Sequence, residues 1–286
     1  STQKWTLFPY TTLFRSDLYL RHCQYLMREG HDGLAIFGTT GEANSFSVQE
    51  KKDHIDFLIS NRIDPKILMP GTGSSSLKEA IDMTKHAASY KVRAVLLLPP
   101  FYYKNVTDEG VINYYRHLIE NVGDSELHYV LYYRPQNTYV PISFKTIETL
   151  LKLYPNNIVG LKDSSGDGER MMKVIKYFNN FSVFCGHDSL ALSISKRGGA
   201  GAITAGTNVC GKLLSFILKN YKKENSIKNF NELQSLLEKI NQPLEAVVLI
   251  KCADDYLIKR LLERGRKDDN QQVIKNRLEI YREKTS

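Results

Sequence analysis

Short apolar runs recur along the chain, and each is followed by Gly, Pro or a polar residue and then by an amphipathic stretch of helical length. The runs are continuous rather than alternating, which is typical of strands buried on both faces of a parallel sheet. Strands that alternate with helices of this length predict repeated βαβ units. Seven runs have this form: GLAIFG (ending at Gly38), KILMPG (Gly71), AVLLLP (Pro99), YVLYY (Tyr133), IVGLK (Lys162), FSVFCG (Gly186) and GAIT (Thr204).

The spacing of the runs favours an α/β fold of the (β/α)8 TIM-barrel type, with residues 17–209 as the barrel body. An open doubly wound sheet is the alternative, but the dinucleotide-binding fingerprint that such sheets usually carry is missing. Several helical stretches begin with Ser or Thr and have Glu three residues later, which indicates capping boxes. From about Cys210 to Ser286 the pattern is helical throughout, so we expect the last barrel helix and a C-terminal helical extension at 210–286.

The first strand of such a barrel is expected one βα unit before Gly38, near Phe8. The segment found there, TLFPYTTLFRS at 6–16, follows neither a strand period nor a helical one. It matches the in-frame translation of a common short-read sequencing adapter. We therefore expect residues 1–16 to be an artefactual segment that replaces the native first strand, and the chain to be less stable than its natural parent because ladder groups are left unpaired.

Composition excludes several classes of protein. Apolar residues make up 42% and charged residues 24% of the chain, as in globular proteins with a proper core. No apolar run approaches the roughly 20 residues that a membrane span needs, and no signal peptide is recognisable. The four cysteines form no C-x-x-C pair, which favours free thiols in a reducing cytoplasm. The net charge of +8 comes from Lys and Arg scattered among acidic residues, which indicates a solvated surface rather than a nucleic-acid partner.

Candidate chemistry lies at the carboxyl ends of the strands, where barrel enzymes place their sites. Lys162 closes IVGLK, and burial there would lower the pKa of its amine, so that the neutral form could attack a ketone and form a Schiff base. A lysine whose stem runs to the surface is an equal alternative. Tyr132 ends the preceding strand, so its side chain could meet that of Lys162 across neighbouring strands. The phenol could then relay protons, or it could be a packed core aromatic.

Two loops offer further candidates. GTTGE at 38–42 supplies hydroxyls and backbone N–H groups near a helix start, which suits a carboxylate or phosphate, although the ending of a phosphate-binding P-loop is missing. PPFYYK places Tyr103 at another strand end, where packing is the alternative. The seven histidines show no ligand spacing, so we expect no metal site.

Together these segments resemble the dihydrodipicolinate synthase / N-acetylneuraminate lyase family of class I, Schiff-base aldolases. The resemblance covers roughly 17–214 and extends to a compatible helical tail. It rests on motifs in order: GTTGE (38–42), PPFYY (99–103), LYYRP (131–135), GLKDSSGD (160–167), GHD (186–188) and GGAGAIT (198–204). It implies a (β/α)8 barrel that binds a 2-keto acid such as pyruvate as a covalent lysine imine and uses no other cofactor.

The resemblance also implies roles for individual residues. Lys162 would condense with the keto acid and Tyr132 would shuttle protons. Thr40 would bind the keto-acid carboxylate and pass protons together with Tyr132, with Thr39 and Gly41 in the same loop. Two positions complete the expected site: Tyr103, lent by a neighbouring subunit of a homotetramer or homodimer, and Ile203, whose backbone carbonyl lines the pocket.

The chain departs from the family pattern after the catalytic tyrosine. Where biosynthetic members read close to L-Y-N-x-P-x-R-T, this chain reads LYYRPQNT, so Asn137 replaces the arginine that helps to hold the aldehyde partner's carboxylate. Strand alternation would direct the adjacent Arg134 to the opposite face. Asn137 could instead bind a hydroxylated chain. We therefore expect a pyruvate-type lyase or aldolase. The alternatives are 4-hydroxy-tetrahydrodipicolinate synthase, a deoxy-keto-acid dehydratase and a binding barrel without catalysis.

Overall fold

A computed structural model describes residues 16–220 and Gln272. The chain divides into a unit Ser1–Leu244 and a unit Glu245–Ser286, and residues 16–220 lie within the first. Their helices are α1 (Ser16–Arg28), α2 (Val48–Ser60), α3 (Leu77–Ser89), α4 (Asp108–Val122), α5 (Pro135–Thr138), α6 (Phe144–Leu153), α7 (Gly168–Tyr177), α8 (Asp188–Ser195) and α9 (Thr207–Asn220). The strands are β1 (Val95–Leu97), β2 (Tyr129–Tyr133), β3 (Ile158–Asp163), β4 (Ser182–Cys185) and β5 (Gly201–Ala202).

Capping side chains set where the helices begin, as the sequence pattern predicts. Ser47 forms a full capping box with Glu50 at the start of α2. Side chains at four other helix starts accept a hydrogen bond from a backbone N–H in the first turn: Ser76, Thr107, Ser143 and Asp167. These bonds satisfy N–H groups that have no partner within the helix. They also fix where each βα loop ends and its helix begins.

The five strands form one parallel sheet in the order of the chain. Two of the predicted strands, 33–38 and 66–71, continue this sheet, but each is reduced to isolated parallel bridges, Leu34 with Leu68 and Gly71 with Leu96. Their own residues explain the short pairing. Phe37 has a left-handed backbone with φ of 56°, and Pro70 has no N–H to donate. All seven predicted strand positions are therefore parallel and in sequence order.

Buried side chains divide into clusters on the two sides of the sheet. The larger cluster joins strand residues such as Tyr129, Leu131 and Ile158 to the helices. The smaller one consists of Ala94, Leu96, Val130 and Tyr132, with partly buried neighbours that include Val159 and Phe184. Because side chains alternate along a strand, neighbouring residues of β2 enter different clusters. Tyr132 therefore belongs to the small inner cluster.

A β-bulge interrupts the pairing of β2 with β3. Tyr129 pairs with Ile158, but Val130 pairs with Gly160, so β3 contains one extra residue, Val159. Beyond the bulge the register is regular, and Tyr132 pairs with Lys162. Such an extra residue re-aims the side chains that follow it. The bulge is therefore the local feature that brings the lysine level with the tyrosine.

Some predictions fall on parts of the chain that the structure does not describe. The adapter-like segment 6–16 lies outside the described residues apart from Ser16, which begins α1. The predicted helical extension is described only through α9 and at Gln272, and both of these parts are helical. Within the described residues, no helix has the length and apolar character needed to cross a membrane.

Candidate active site

Lys162 and Tyr132 lie side by side at the carboxyl ends of adjacent strands. The two residues are register partners in β3 and β2. The Lys162 Nζ lies over the phenol ring, 4.2 Å from its centroid. Both side chains are buried, with 8% of Lys162 and 3% of Tyr132 exposed. The strand-end lysine is therefore not a surface lysine, and its amine is next to the phenol that the sequence proposes as its partner.

The surroundings of these two groups shift both pKa values downward. Burial is the main cause that lowers the pKa of the Lys162 amine, attraction to Tyr132 opposes it, and the positive charge of Arg134 lowers the pKa further. For Tyr132, burial raises the pKa of the phenol, but Lys162, the hydrogen bond with Thr39 and Arg134 together lower it below its usual value. A neutral amine and a phenol that loses its proton readily are what imine and proton-transfer chemistry require.

The GTTGE loop reaches this pair through Thr39. The Thr39 Oγ1 lies 3.2 Å from the Tyr132 hydroxyl, within hydrogen-bonding distance. The sequence analysis expected Thr40 to act with the phenol, whereas in the structure Thr39 makes the contact. The proton-relay role of Thr40 stays a prediction. Thr40 and Gly41 follow Thr39 in the loop and are exposed, which leaves them accessible to a carboxylate.

A cavity of about 80 Å³ opens above the loop. Its wall includes Gly38, Thr39, Asn44, Leu98 and Tyr132. Lys162 is not among the lining residues. Its amine contacts the ring of Tyr132, which is a lining residue. The loop and the phenol therefore bound the cavity, and Lys162 lies next to the phenol.

Three further predicted residues follow the carboxyl ends of β1, β2 and β5. Tyr103 follows β1 and is 78% exposed, in edge-to-face contact with the exposed Tyr102. Asn137 is exposed in the one-turn helix α5. Ile203 follows β5 and is half-buried, and its N–H donates to the Cys185 carbonyl at 2.9 Å. The fold thus brings these three residues to the same end of the sheet as Lys162 and Tyr132. Of the predicted partners of the pair, Thr39 is the one with a hydrogen-bonding contact to it.

Two residues near the pair were not among the predicted site residues. Ser164 is buried near Tyr132 and helps to lower the pKa of the phenol, although its hydroxyl forms no hydrogen bond of normal geometry. Its position directly after β3, which ends at Asp163, is the sequence signal that could have found it. Arg134 was assigned to the opposite face, but β2 ends at Tyr133. Strand alternation therefore does not extend to Arg134, and its charge acts on both members of the pair.

The other face of β3 carries an ion pair behind the site. Asp163 is fully buried and is bonded to Arg170, whose guanidinium also donates to the Ile142 carbonyl at 2.7 Å. The second Asp163 oxygen accepts from the Ser165 N–H at 2.9 Å and from the Ser165 hydroxyl at 2.6 Å. The Arg170 guanidinium stacks 4.0 Å from the Tyr133 ring centroid. These contacts fix the residue next to Lys162 and the loop that follows it.

Among residues 16–220 and Gln272, no group of three or more His, Cys, Asp or Glu side chains could hold a metal ion.

Comparison with known proteins gives concordant matches. A sequence model described as the dihydrodipicolinate synthetase family matches residues 7–259. A 4-hydroxy-tetrahydrodipicolinate synthase of Pelagibacter ubique is 33% identical over 82% of this chain and 78% of its own length.

Two solved structures are also similar. The 2-keto 3-deoxygluconate aldolase of Picrophilus torridus has a TM-score of 0.72 and 26% identity, covering 82% of this chain and 83% of that one. The dihydrodipicolinate synthase of Acinetobacter baumannii, complexed with pyruvate, has a TM-score of 0.70 and 28% identity, covering 87% and 82%. The predicted resemblance and the predicted barrel architecture are confirmed by these matches.

Proposed function

Because the chain belongs to the dihydrodipicolinate synthetase family, we propose that it is a Schiff-base-forming lyase or aldolase acting on pyruvate or a related 2-keto acid. The observation that carries this proposal is the buried Lys162 amine over the Tyr132 ring, at the carboxyl ends of two adjacent strands. A buried amine with a lowered pKa is the nucleophile that such chemistry needs.

The reaction follows from this pair. The neutral Lys162 amine adds to the ketone carbon. The Tyr132 phenol gives its proton to the hydroxyl group that leaves as water, and an iminium and a phenolate remain. The phenolate then accepts a proton from the adjacent carbon, and the electron pair of that C–H bond forms an enamine. The enamine carbon attacks an aldehyde, whose oxygen takes up a proton as the iminium forms again. Water then hydrolyses the iminium, releasing product and amine, and the reverse sequence cleaves the same bond.

The neighbouring groups have supporting roles in this proposal. Thr39 orients the phenol through its hydrogen bond. Thr40 and Gly41 offer a hydroxyl and a backbone N–H to the keto-acid carboxylate, and the Ile203 carbonyl lines the far side of the pocket. The lysine imine is the only covalent device required, so we propose no metal and no cofactor.

We also propose a homotetramer or homodimer in which Tyr103 enters the site of a neighbouring subunit. The 78% exposure of Tyr103 and the 71% exposure of Tyr102 beside it support this assignment, because large aromatics of this kind are enriched at interfaces. The three described cysteines, Cys23, Cys185 and Cys210, are free thiols, which supports a cytoplasmic location.

The second substrate has two candidates of different character. The name of the Pelagibacter relative favours 4-hydroxy-tetrahydrodipicolinate synthase. The name of the Picrophilus relative, together with an exposed Asn137 at the expected arginine position, favours a hydroxylated chain such as that of a deoxy sugar acid, in an aldolase or a dehydratase.

Borohydride trapping tests the proposal. Incubation with pyruvate and borohydride should add the mass of one pyruvic acid less one oxygen atom, and peptide mapping should place it on Lys162. Lys162→Met should give no adduct, while Lys145→Met, at an exposed position on α6, should behave as wild type. Failure of the wild-type chain to form an adduct would contradict the proposed function and would favour a binding barrel without catalysis.

A further inference from the structure

The GHD motif (186–188) lies between the strand that carries Lys162 and the loop that begins at Ile203. It directly follows β4, whose last residue, Cys185, pairs with β3 on one side and with β5 on the other. The reaction proposed above uses none of the three residues of the motif. The motif is therefore placed to connect the two sides of the site.

The first two residues of the motif are fixed to the segment that follows Lys162. The Gly186 N–H donates to the Asp163 carbonyl at 2.7 Å, and an added Cβ at Gly186 would collide with the Ser164 hydroxyl. The His187 Nε2 lies 3.3 Å from the Ser164 carbonyl oxygen. These contacts hold the motif against the two residues that directly follow the lysine.

Asp188, the third residue of the motif, contacts the loop on the other side. It begins α8, and its Oδ2 accepts a hydrogen bond from the Gly206 N–H at 3.1 Å. The whole carboxyl group lies against Gly206, because an added Cβ there would be 2.7 Å from Oδ1 and 2.9 Å from Oδ2. Gly206 is the last residue of the loop 203–206 between β5 and α9. One side chain thus holds the end of this loop.

The loop 203–206 is attached to the motif and to β4 at two points. At its start the Ile203 N–H donates to the Cys185 carbonyl at 2.9 Å, and at its end the Gly206 N–H donates to Asp188. The carbonyl of Ile203 belongs to a peptide group between these points. Only the φ and ψ angles of the residues in the loop can turn that group, so its orientation depends on both attachments.

Asp188 is an unfavourable residue for packing alone. It is only 5% exposed, and within the described residues its Oδ1 makes no hydrogen bond of normal geometry. Burial is the main cause that raises the pKa of this carboxyl group, and the Thr204 hydroxyl, the Gly206 N–H and His187 oppose it. A buried carboxyl group that is satisfied at one oxygen costs stability. Such departures from good packing are expected at functional sites.

We propose that Asp188 is a positioning residue: by holding the Gly206 N–H it fixes the loop 203–206 relative to the end of β3, and so sets the position of the Ile203 carbonyl beside a keto acid bound on Lys162. This inference rests on the proposed function, in which that carbonyl lines the pocket. Asp188 acts through the loop and not by contact with the reacting atoms. Its loss should therefore weaken the binding of the keto acid without removing the lysine chemistry.

Trapping at different pyruvate concentrations tests the proposal. A short pulse of borohydride converts the imine into a stable adduct on Lys162, which mass spectrometry measures at each concentration. Asp188→Ala should raise the pyruvate concentration for half-maximal trapping roughly tenfold, the effect of one lost hydrogen bond, and should reach the wild-type level at saturation. Asp188→Asn keeps an acceptor for the Gly206 N–H and should stay close to wild type.

A second variant tests the contact itself. Gly206 does not have a positive φ, so alanine suits its backbone, but the added Cβ would displace the carboxyl group. Gly206→Ala should therefore raise the half-maximal concentration as Asp188→Ala does. In the double variant the Cβ has room, so the combined effect should be smaller than the product of the two single effects.

Two matched controls separate this effect from a general loss of stability. Asp124→Ala removes another carboxylate that accepts a backbone N–H, from Glu126 at 2.9 Å, in the segment before β2 and hence at the opposite end of the strands. Gly168→Ala adds a Cβ at the start of α7, where the nearest atom is 3.8 Å away. Both variants should keep the wild-type half-maximal concentration.

The possible results lead to different conclusions. Wild-type protein that traps no pyruvate contradicts the proposed function itself. An Asp188→Ala variant that traps less at every concentration, with no shift of the half-maximal value, overturns the positioning role, because a smaller folded fraction alone gives that result. If Asp188→Ala does not fold, Gly206→Ala carries the same test, and an unshifted value there overturns the inference. Strict multiplication of the two effects in the double variant overturns it as well.

Discussion

The buried ion pair behind Lys162 allows a quantitative prediction. Asp163→Ala would remove the carboxylate that pairs with Arg170 and accepts two hydrogen bonds from Ser165. Asp163 is fully buried and only 14% of the Arg170 side chain is exposed, so water cannot replace the lost partner. The guanidinium would keep its bond to the Ile142 carbonyl and its stacking on Tyr133, but its charge would be uncompensated.

Breaking a buried pair in this way typically costs about 3–5 kcal/mol. We expect that loss for Asp163→Ala in the free energy of unfolding, measured by urea titration with the slope of the transition held as a check on two-state behaviour. Asp163→Asn, which keeps an acceptor for the Ser165 N–H, should lose less. Removing both charges in Asp163→Asn/Arg170→Met should cost less than the sum of the single changes, because no buried charge is then left alone.

Two results would refute this reasoning. An Asp163→Ala variant within about 1 kcal/mol of wild type would mean that the pair contributes no more than a surface salt bridge. Strict additivity in the double variant would mean that the two side chains act independently. Glu148→Ala is the matched control, since it breaks an exposed i,i+4 pair with Lys152 on α6 and should change stability little.

Three further predictions follow from the site and its loops. Lys162→Met should stabilise the fold near pH 7, because the folded state lowers the pKa of the amine and the unfolded chain then binds more protons. The advantage should shrink as the pH rises toward the ordinary lysine pKa of about 10.4. Urea unfolding that shows no pH dependence of this advantage would contradict the prediction. Thr39→Val should reduce kcat roughly a hundredfold, whereas Thr40→Val should mainly raise KM for pyruvate. If steady-state kinetics instead show the loss of kcat in Thr40→Val and the rise of KM in Thr39→Val, the proton-relay role belongs to Thr40. Gly71→Ala should destabilise the fold by at least about 2 kcal/mol, because the added Cβ would lie 2.1 Å from the Phe37 carbonyl oxygen. Gly41→Ala is the control and should not destabilise the fold, because the nearest atom to its Cβ is 3.5 Å away. Equal melting temperatures for the two variants would show that the backbone adjusts at Gly71.

Much of this arrangement could be predicted because the responsible signals are local. An apolar run that ends in lysine placed Lys162 at a strand end, and the run before it placed Tyr132 at the neighbouring end. Ser47 and Glu50 marked the start of α2 by their spacing alone. In these cases a short stretch of sequence determines the feature, because the period of a strand and the hydrogen bonds of a helix cap involve only a few neighbouring residues.

Other features depend on backbone geometry that spacing does not encode. Whether Thr39 or Thr40 faces the phenol is decided by the turn after Phe37, whose left-handed backbone redirects the chain. The side on which Arg134 lies depends on β2 ending at Tyr133, and strand ends are the least certain part of a periodicity pattern. The single bridges at 33–38 and 66–71 likewise arise from individual residues within otherwise strand-like runs.

The extra residue in β3 gives the two halves of that strand separate tasks. Ile158 and Lys162 are four residues apart, and simple counting would put both on one side of the sheet. With Val159 between them, Ile158 packs with the helices while the amine faces the phenol. Substitutions before the bulge should therefore alter folding without disturbing the reaction, whereas a residue inserted directly before Lys162 would rotate the amine away from the phenol and leave Leu161 in the hydrophobic core.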